Sequence, residues 1–162
     1  MAYYDMVMES CSSADSMAKL LGYNKIMVAG RDFKLADAGK DVDVKGMVAI
    51  SDSPKELIKA AKRLASAVIP FNLQPDRLLV SALRDNDVTL LIPFSIIVSA
   101  RGLAMSRNLH YASKLLAYAR KKKVNVGFIT LARSTLYMES YMQLIGLAKL
   151  IGASEEEARL GI

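Results

Sequence analysis

A chain of 162 residues, 52 % of them hydrophobic and 23 % charged, carries enough apolar side chains for one buried core and too many for a disordered segment. Its net charge of +6 is unevenly spread: residues 61–135 hold twelve basic and three acidic side chains, and no acid occurs at the 51 positions between Asp87 and Glu139. The lone cysteine, Cys11, excludes an internal disulfide, and with one histidine, His110, the chain lacks the several converging His and Cys ligands of the usual zinc sites.

Residues 2–8 alternate and are rich in Tyr, Val and Met, which predicts a first strand. "SSADSMAKLLGY" reads as a helix that Ser12 or Ser13 can cap; Met17, Leu20 and Leu21 form its apolar face and Gly22 ends it. "NKIMVAG" is a second strand. Residues 30–45 are polar and read as a loop, and "GMVAIS" is a third strand. "DSPKELIKAAKRLASA" predicts a helix with Ser53 as N-cap, Pro54 at its first position and Glu56 as a capping-box acid. "AVIPFN" is a fourth strand, and a helix over 75–85 follows with Asp76 near its start. "DVTLLIPF" is a fifth strand, apolar enough to be buried on both faces. Residues 95–123 are mostly helical with a break at Gly102, and "VNVGFITLA" is a sixth strand. "YMESYMQLIGLAKLIG" is a helix closed by Gly152, and "SEEEARLGI" a short last helix capped by Ser154 with acids in its first turn.

Strands and helices alternate at βα spacing, so the expected fold is α/β, a parallel, TIM-barrel-like sheet with helices outside. Six strands are fewer than the eight of a full barrel, so a shortened or incomplete barrel is expected, as a single domain over residues 1–162. The longest uncharged run, Val88 to Ala100, contains Pro93 and falls short of the roughly 20 apolar residues of a membrane span. "MAYYDMVMES" has neither the basic start nor the long apolar stretch of a secretion signal, so a cytoplasmic protein is expected.

Chemistry is sparse. There is no G-x-x-x-x-G-K-[ST] or G-x-G-x-x-G loop to cradle a phosphate, and "GRDFKLADAG" lacks the strand-to-helix setting. Asp41 and Asp43 fit loop solvation better than metal binding. His110 has no carboxylate near it in sequence to orient it as a base. No catalytic residue, metal or cofactor is assigned. The cations are better organised. Arg107, Lys114 and Lys121 lie seven apart and share one helix face, flanked by Arg120 and Lys123, while Leu109, Leu115, Leu116 and Tyr118 can face the core. Cations complement a helix C-terminus by about 0.3–1 kcal/mol, which accounts for one or two of Arg120, Lys121, Lys122 and Lys123 but not for four plus a stripe. With Arg101 and Arg133, they make the expected phosphate-contacting set.

The run "FSIIVSARGLAMSRNLHYASKLLAYARKKKVNVGFITLARS" with "YMESYMQLIGLAKLIGASEEEARLGI" resembles ribonuclease P protein component 3 of archaea. That pattern has a serine- and arginine-containing segment after a strand, a basic helix ending in "RK-x-K-V", a strand, a helix ending in "LG" and an "S-x-E-E-A" turn. Arg101, Arg107, Asn108, Arg120, Lys121, Lys123, Val124, Gly152, Ser154, Glu156, Glu157 and Ala158 match it. The resemblance is clear over about residues 88–162; before that, "YYDMVME" and "LLGYNKIMV" look alike. It implies a barrel similar to metal-dependent phosphoesterases that has lost its metal ligands. Where those enzymes carry histidines on the opening strand, this chain reads Asp5-Met6-Val7-Met8. It also implies a subunit of ribonuclease P, the ribonucleoprotein that removes the 5′ leader from precursor tRNA. Its partners would be the catalytic RNA, precursor tRNA indirectly, and other protein subunits in a stable pair or heterotetramer. An alternative is a degenerate barrel phosphoesterase acting on a small phosphorylated molecule, with Arg101, Arg107 and Arg133 as phosphate clamps.

Overall fold

The computed structural model describes residues 4–7, 14–40, 43–133 and 138–160; Met8, Cys11, Ser12, Ser13 and Asp41 lie outside them. The described elements are β1 (Tyr4–Val7), α1 (Ala14–Leu21), β2 (Lys25–Val28), β3 (Leu35–Asp37), β4 (Val48–Ser51), α2 (Pro54–Lys62) and β5 (Ala67–Pro70). Then come α3 (Arg77–Asp85), β6 (Thr89–Pro93), α4 (Ser95–Val98), α5 (Leu103–Lys122), β7 (Val126–Ile129), α6 (Tyr141–Leu150) and α7 (Glu155–Leu160). Every ladder is parallel. β1 pairs with β2, and β3 to β7 form a five-stranded sheet in sequence order. A bridge between Ala29 and Phe33 continues β2 toward β3.

Side chains alternate between two cores, as the two-residue period of a strand requires. Ala49, Val68, Leu90, Ile92 and Phe128 face outward against the helices. Val48, Ala67, Ile69, Leu91 and Ile129 face inward, where Met6 of β1 and Leu35 of β3 pack against them. Strands from both sheets thus share one interior, so the architecture is TIM-barrel-like. Among the described residues β7 and β1 do not pair, which leaves the ring open there. The outer layer nevertheless ties the turn after α1 to the start of α6. The Tyr23 hydroxyl donates to the Glu139 carbonyl at 2.8 Å, and the Tyr23 and Tyr141 rings meet edge to face at 6.2 Å.

Two sequence expectations are corrected. The segment 30–45 is not all loop. Leu35, Ala36 and Asp37 pair with Val48, Ala49 and Ile50, so seven strands are described instead of six. The strand is three residues long between charged neighbours, too short to show a period. Glu56 does not close a capping box on Ser53 either. The Ser53 N–H donates to the Ser51 hydroxyl, which in turn donates to the Glu56 carboxylate, so the buried end of β4 takes the acid that the helix start would have used.

One device ends five helices. α1, α2, α3, α5 and α6 each turn off in the left-handed conformation, at Gly22, Leu64, Asp87, Lys123 and Gly152. In each, the next N–H reaches back five residues: Tyr23 to Ala18, Ala65 to Ala60, Val88 to Leu83, Val124 to Ala119 and Ala153 to Ala148. The residue that donates this bond is buried every time, so an apolar anchor after the turn fixes where the chain re-enters a strand or loop. Because the strands are parallel and crossover helices run back against them, these helix ends gather at the rim holding the N-terminal ends of the strands. The opposite rim holds the strands' C-terminal ends.

Candidate functional site

α5 builds the main candidate surface. Ala112, Leu115, Leu116 and Ala119 are buried, and Leu109 and Tyr118 pack beside them half-buried, which fixes the helix against the sheet. Arg77 of α3 sits 5.2 Å over the Tyr118 ring, and the Asn108 amide donates to the Ile96 carbonyl at 3.1 Å, tying α5 to α3 and to α4. The opposite face carries Arg107, Lys114 and Lys121, all exposed at the predicted seven-residue spacing, with His110 on the same stripe.

The four cations at its end divide into two kinds. Arg120 is spent within the chain. Its guanidinium holds Glu157 in a two-pronged pair at 2.9 and 2.7 Å and donates to the Gly152 carbonyl at 3.0 Å. Glu157 also accepts from the Ser154 N–H, while its own N–H donates to the Ser154 hydroxyl, which makes a capping box on α7. Ala158 then packs fully buried. Arg120, Gly152, Ser154, Glu157 and Ala158, which carry much of the sequence resemblance, therefore form one lock between α5 and α7. Lys121, Lys122 and Lys123 are exposed and, like Arg107 and Lys114, have no ion-pair partner among the described residues.

The lock has a pH signature. Arg120, and next the Ser154 N–H, holds the Glu157 carboxyl down to about 2 from 4.5, and the pair pushes Arg120 up in return. A depressed carboxyl stabilises the fold above its unfolded value and loses that contribution as pH falls through its folded one. Acid titration should show stability falling between pH 4.5 and about 2, and Glu157→Gln should flatten that part of the curve. An unchanged acid limb would remove Glu157 from the account. Asp32 acts the same way near β2. Lys25, then the Val28 N–H, hold it at about 2, so it contributes to the same window.

Lys123 occupies a costly position. Its φ is +57° and ψ 40°, where an L side chain is disfavoured by about 1–2 kcal/mol and glycine is at home. Lys123→Gly should therefore raise stability by about 0.5–1 kcal/mol after the extra freedom of an unfolded glycine is set against it. Lys123→Ala should give no gain, and denaturant midpoints of the two variants decide this.

Arg101 and Arg133 are exposed and lie elsewhere. Arg133 lines an open groove of about 850 Å³ with Phe71, Ser95, Ser99, Met138 and Glu139, on the rim formed by the C-terminal ends of β5, β6 and β7. Arg101 follows Ser99 by two positions in the turn between α4 and α5, where Gly102 has φ +55°. The structure thus brings together Arg107, Lys114 and Lys121–Lys123 along α5 and its C-cap, and leaves Arg133 in the groove and Arg101 in the turn between α4 and α5. Asp43 is engaged by the Lys45 N–H. Among the described residues no three His, Cys, Asp or Glu side chains converge to hold a metal ion, and no helix is long and apolar enough to cross a membrane.

No protein-family model and no curated protein matches the chain. Among solved structures it is similar to the crystal structure of ochratoxinase from A. niger, at 13 % identity with a TM-score of 0.52, over 73 % of this chain and 29 % of that one. The chain spans less than a third of that neighbour, and the likeness shows the fold: an α/β, TIM-barrel-like arrangement with βα units in sequence order.

Proposed function

We propose that this chain is a protein subunit of ribonuclease P, acting in the cytoplasm, that binds and supports the catalytic RNA while the RNA cleaves the 5′ leader from precursor tRNA. The observation that carries the reading is the division at the end of α5. Arg120 is neutralised by Glu157, yet Lys121, Lys122 and Lys123 stay exposed with no ion-pair partner among the described residues. Uncompensated like charges lower stability, and a polyanionic partner supplies the offsetting attraction. The sequence resemblance names the partner. The other protein subunits would dock away from α5, where Leu20 on α1 and Met142 and Leu150 on α6 are more than half exposed.

Reconstitution tests the reading. Catalytic RNA with the other subunits should cleave precursor tRNA at lower magnesium when this chain is added, because its cations replace counterions. Identical magnesium curves with and without it would refute the proposal.

The groove at the strands' C-terminal ends favours a second reading, a degenerate phosphoesterase with Arg133 as phosphate clamp and Arg101, two positions after the groove's Ser99, as the second. Arg107, the third clamp of that reading, lies on α5 and not among the groove residues. Hydrolysis of a generic phosphodiester by the purified chain with added manganese would support this alternative, and no turnover would remove it.

A further inference from the structure

We infer that the RNA held by α5 is double-helical, and that α2 carries a second phosphate-binding point engaging its other strand; this rests on the reading of α5 as an RNA surface. Among the described residues between β3 and β4 there is no helix, and beside α2 lies a pocket of about 180 Å³ lined by Gly39, Lys40, Lys59 and Arg63. Lys59 and Arg63 of α2 face Lys40, which pairs with Asp37 at 3.9 Å, across one concavity, and the exposed Lys62 lies on the adjoining turn of α2.

α3 packs against both α2 and α5 and so lies between the two cationic patches. Its end is not basic. Asp85 and Asp87 are exposed beside Arg84, so an acidic ridge separates the patches. At 8–10 Å between neighbouring helix axes, the patches stand roughly 20 Å apart. A single strand is usually followed by a continuous basic groove, with aromatic rings on which bases stack. Here the positive charge is interrupted. Among the residues whose side chains are described, no Phe or Tyr is exposed: Phe33, Phe71, Tyr111 and Tyr118 are half-buried and the others are buried. Double-helical RNA presents two phosphate rows across a groove and is recognised by shape and backbone contact. Two cationic patches either side of an acidic ridge fit two rows, with the ridge facing the groove, where phosphate is absent.

The test compares an RNA duplex of about 20 base pairs with an unstructured single strand of equal length, by salt titration of binding. The proteins are the wild type, Lys59→Gln/Lys62→Gln, and Lys121→Gln/Lys122→Gln/Lys123→Gln, with circular dichroism as folding control. The wild type should prefer the duplex by about 10-fold or more. The α2 variant should lose about 10-fold in duplex affinity and flatten the slope of log affinity against log salt by about two units, with little change for the single strand. Equal affinity for both RNAs, or a folded α2 variant with the wild-type duplex slope, overturns the inference. If the α5 variant still weakens binding in that case, the reading of α5 survives; if it too binds as wild type, both fall.

Discussion

Replacing Lys121, Lys122 and Lys123 together with glutamine should weaken binding to structured RNA by about 100-fold at physiological salt and flatten the salt dependence by about three units, because each lost phosphate contact retains one set of counterions. The fold should be unaffected. All three side chains are exposed and have no ion-pair partner among the described residues, and changes at such positions usually move stability by less than about 0.5 kcal/mol. Lys123→Gln leaves the strained backbone as it is, so the triple variant changes charge alone. Arg120→Gln is the informative contrast. It removes the same formal charge, but from a group already held by Glu157 and the Gly152 carbonyl. It should alter acid stability and the docking of α7 far more than the salt slope. If Arg120→Gln and the triple variant lost RNA affinity alike, the division between locked and free cations would be wrong.

The largest loss of stability is expected at the β6–β7 junction. Phe94 and Phe128 stack at 5.8 Å with planes 7° apart, and neither ring is more than 1 % exposed. Phe94 follows β6 and Phe128 sits within β7, so the pair fills the space beneath the start of α4 and the α5 crossover. Phe128→Ala should cost about 3–5 kcal/mol through lost transfer energy and an unfilled cavity. Leu115→Ala, which empties the anchor of α5, should cost about 2–5 kcal/mol. Urea midpoints measure both. A loss below about 1 kcal/mol for Phe128→Ala would mean that the junction is not packed as described.

The sequence revealed the elements whose signals are local. Asp76 accepts from the Leu78 and Leu79 N–H groups as a helix cap should, Gly22 and Gly152 end their helices, and Gly102 breaks the long basic segment into α4 and α5. The face of α5 was legible because Arg107, Lys114 and Lys121 repeat every seven residues. What escaped depends on distant partners. β3 exists through its ladder to β4 and carries no period of its own. The turns at Leu64, Asp87 and Lys123 use the helix ending that glycine announces elsewhere, and without glycine they are silent. Ser140 and Gln143 form a reciprocal capping box that starts α6 at Tyr141, later than the apolar pattern suggested; the S-x-x-Q spacing was the available signal. Arg120 read as one more phosphate contact because Glu157 lies 37 positions away, beyond any local charge pattern. The groove carrying Arg133 is assembled from the ends of three strands, so only its separate residues, and not their meeting, stood in the sequence.

The most direct measurement is to isolate the tagged full chain from its own cells under low salt and sequence the RNA that comes with it, beside the Lys121→Gln/Lys122→Gln/Lys123→Gln variant. The account predicts strong enrichment of ribonuclease P RNA with the wild type, reduced sharply for the variant although both chains are folded. Recovery of no ribonuclease P RNA with the wild type, or equal recovery with both, would contradict it.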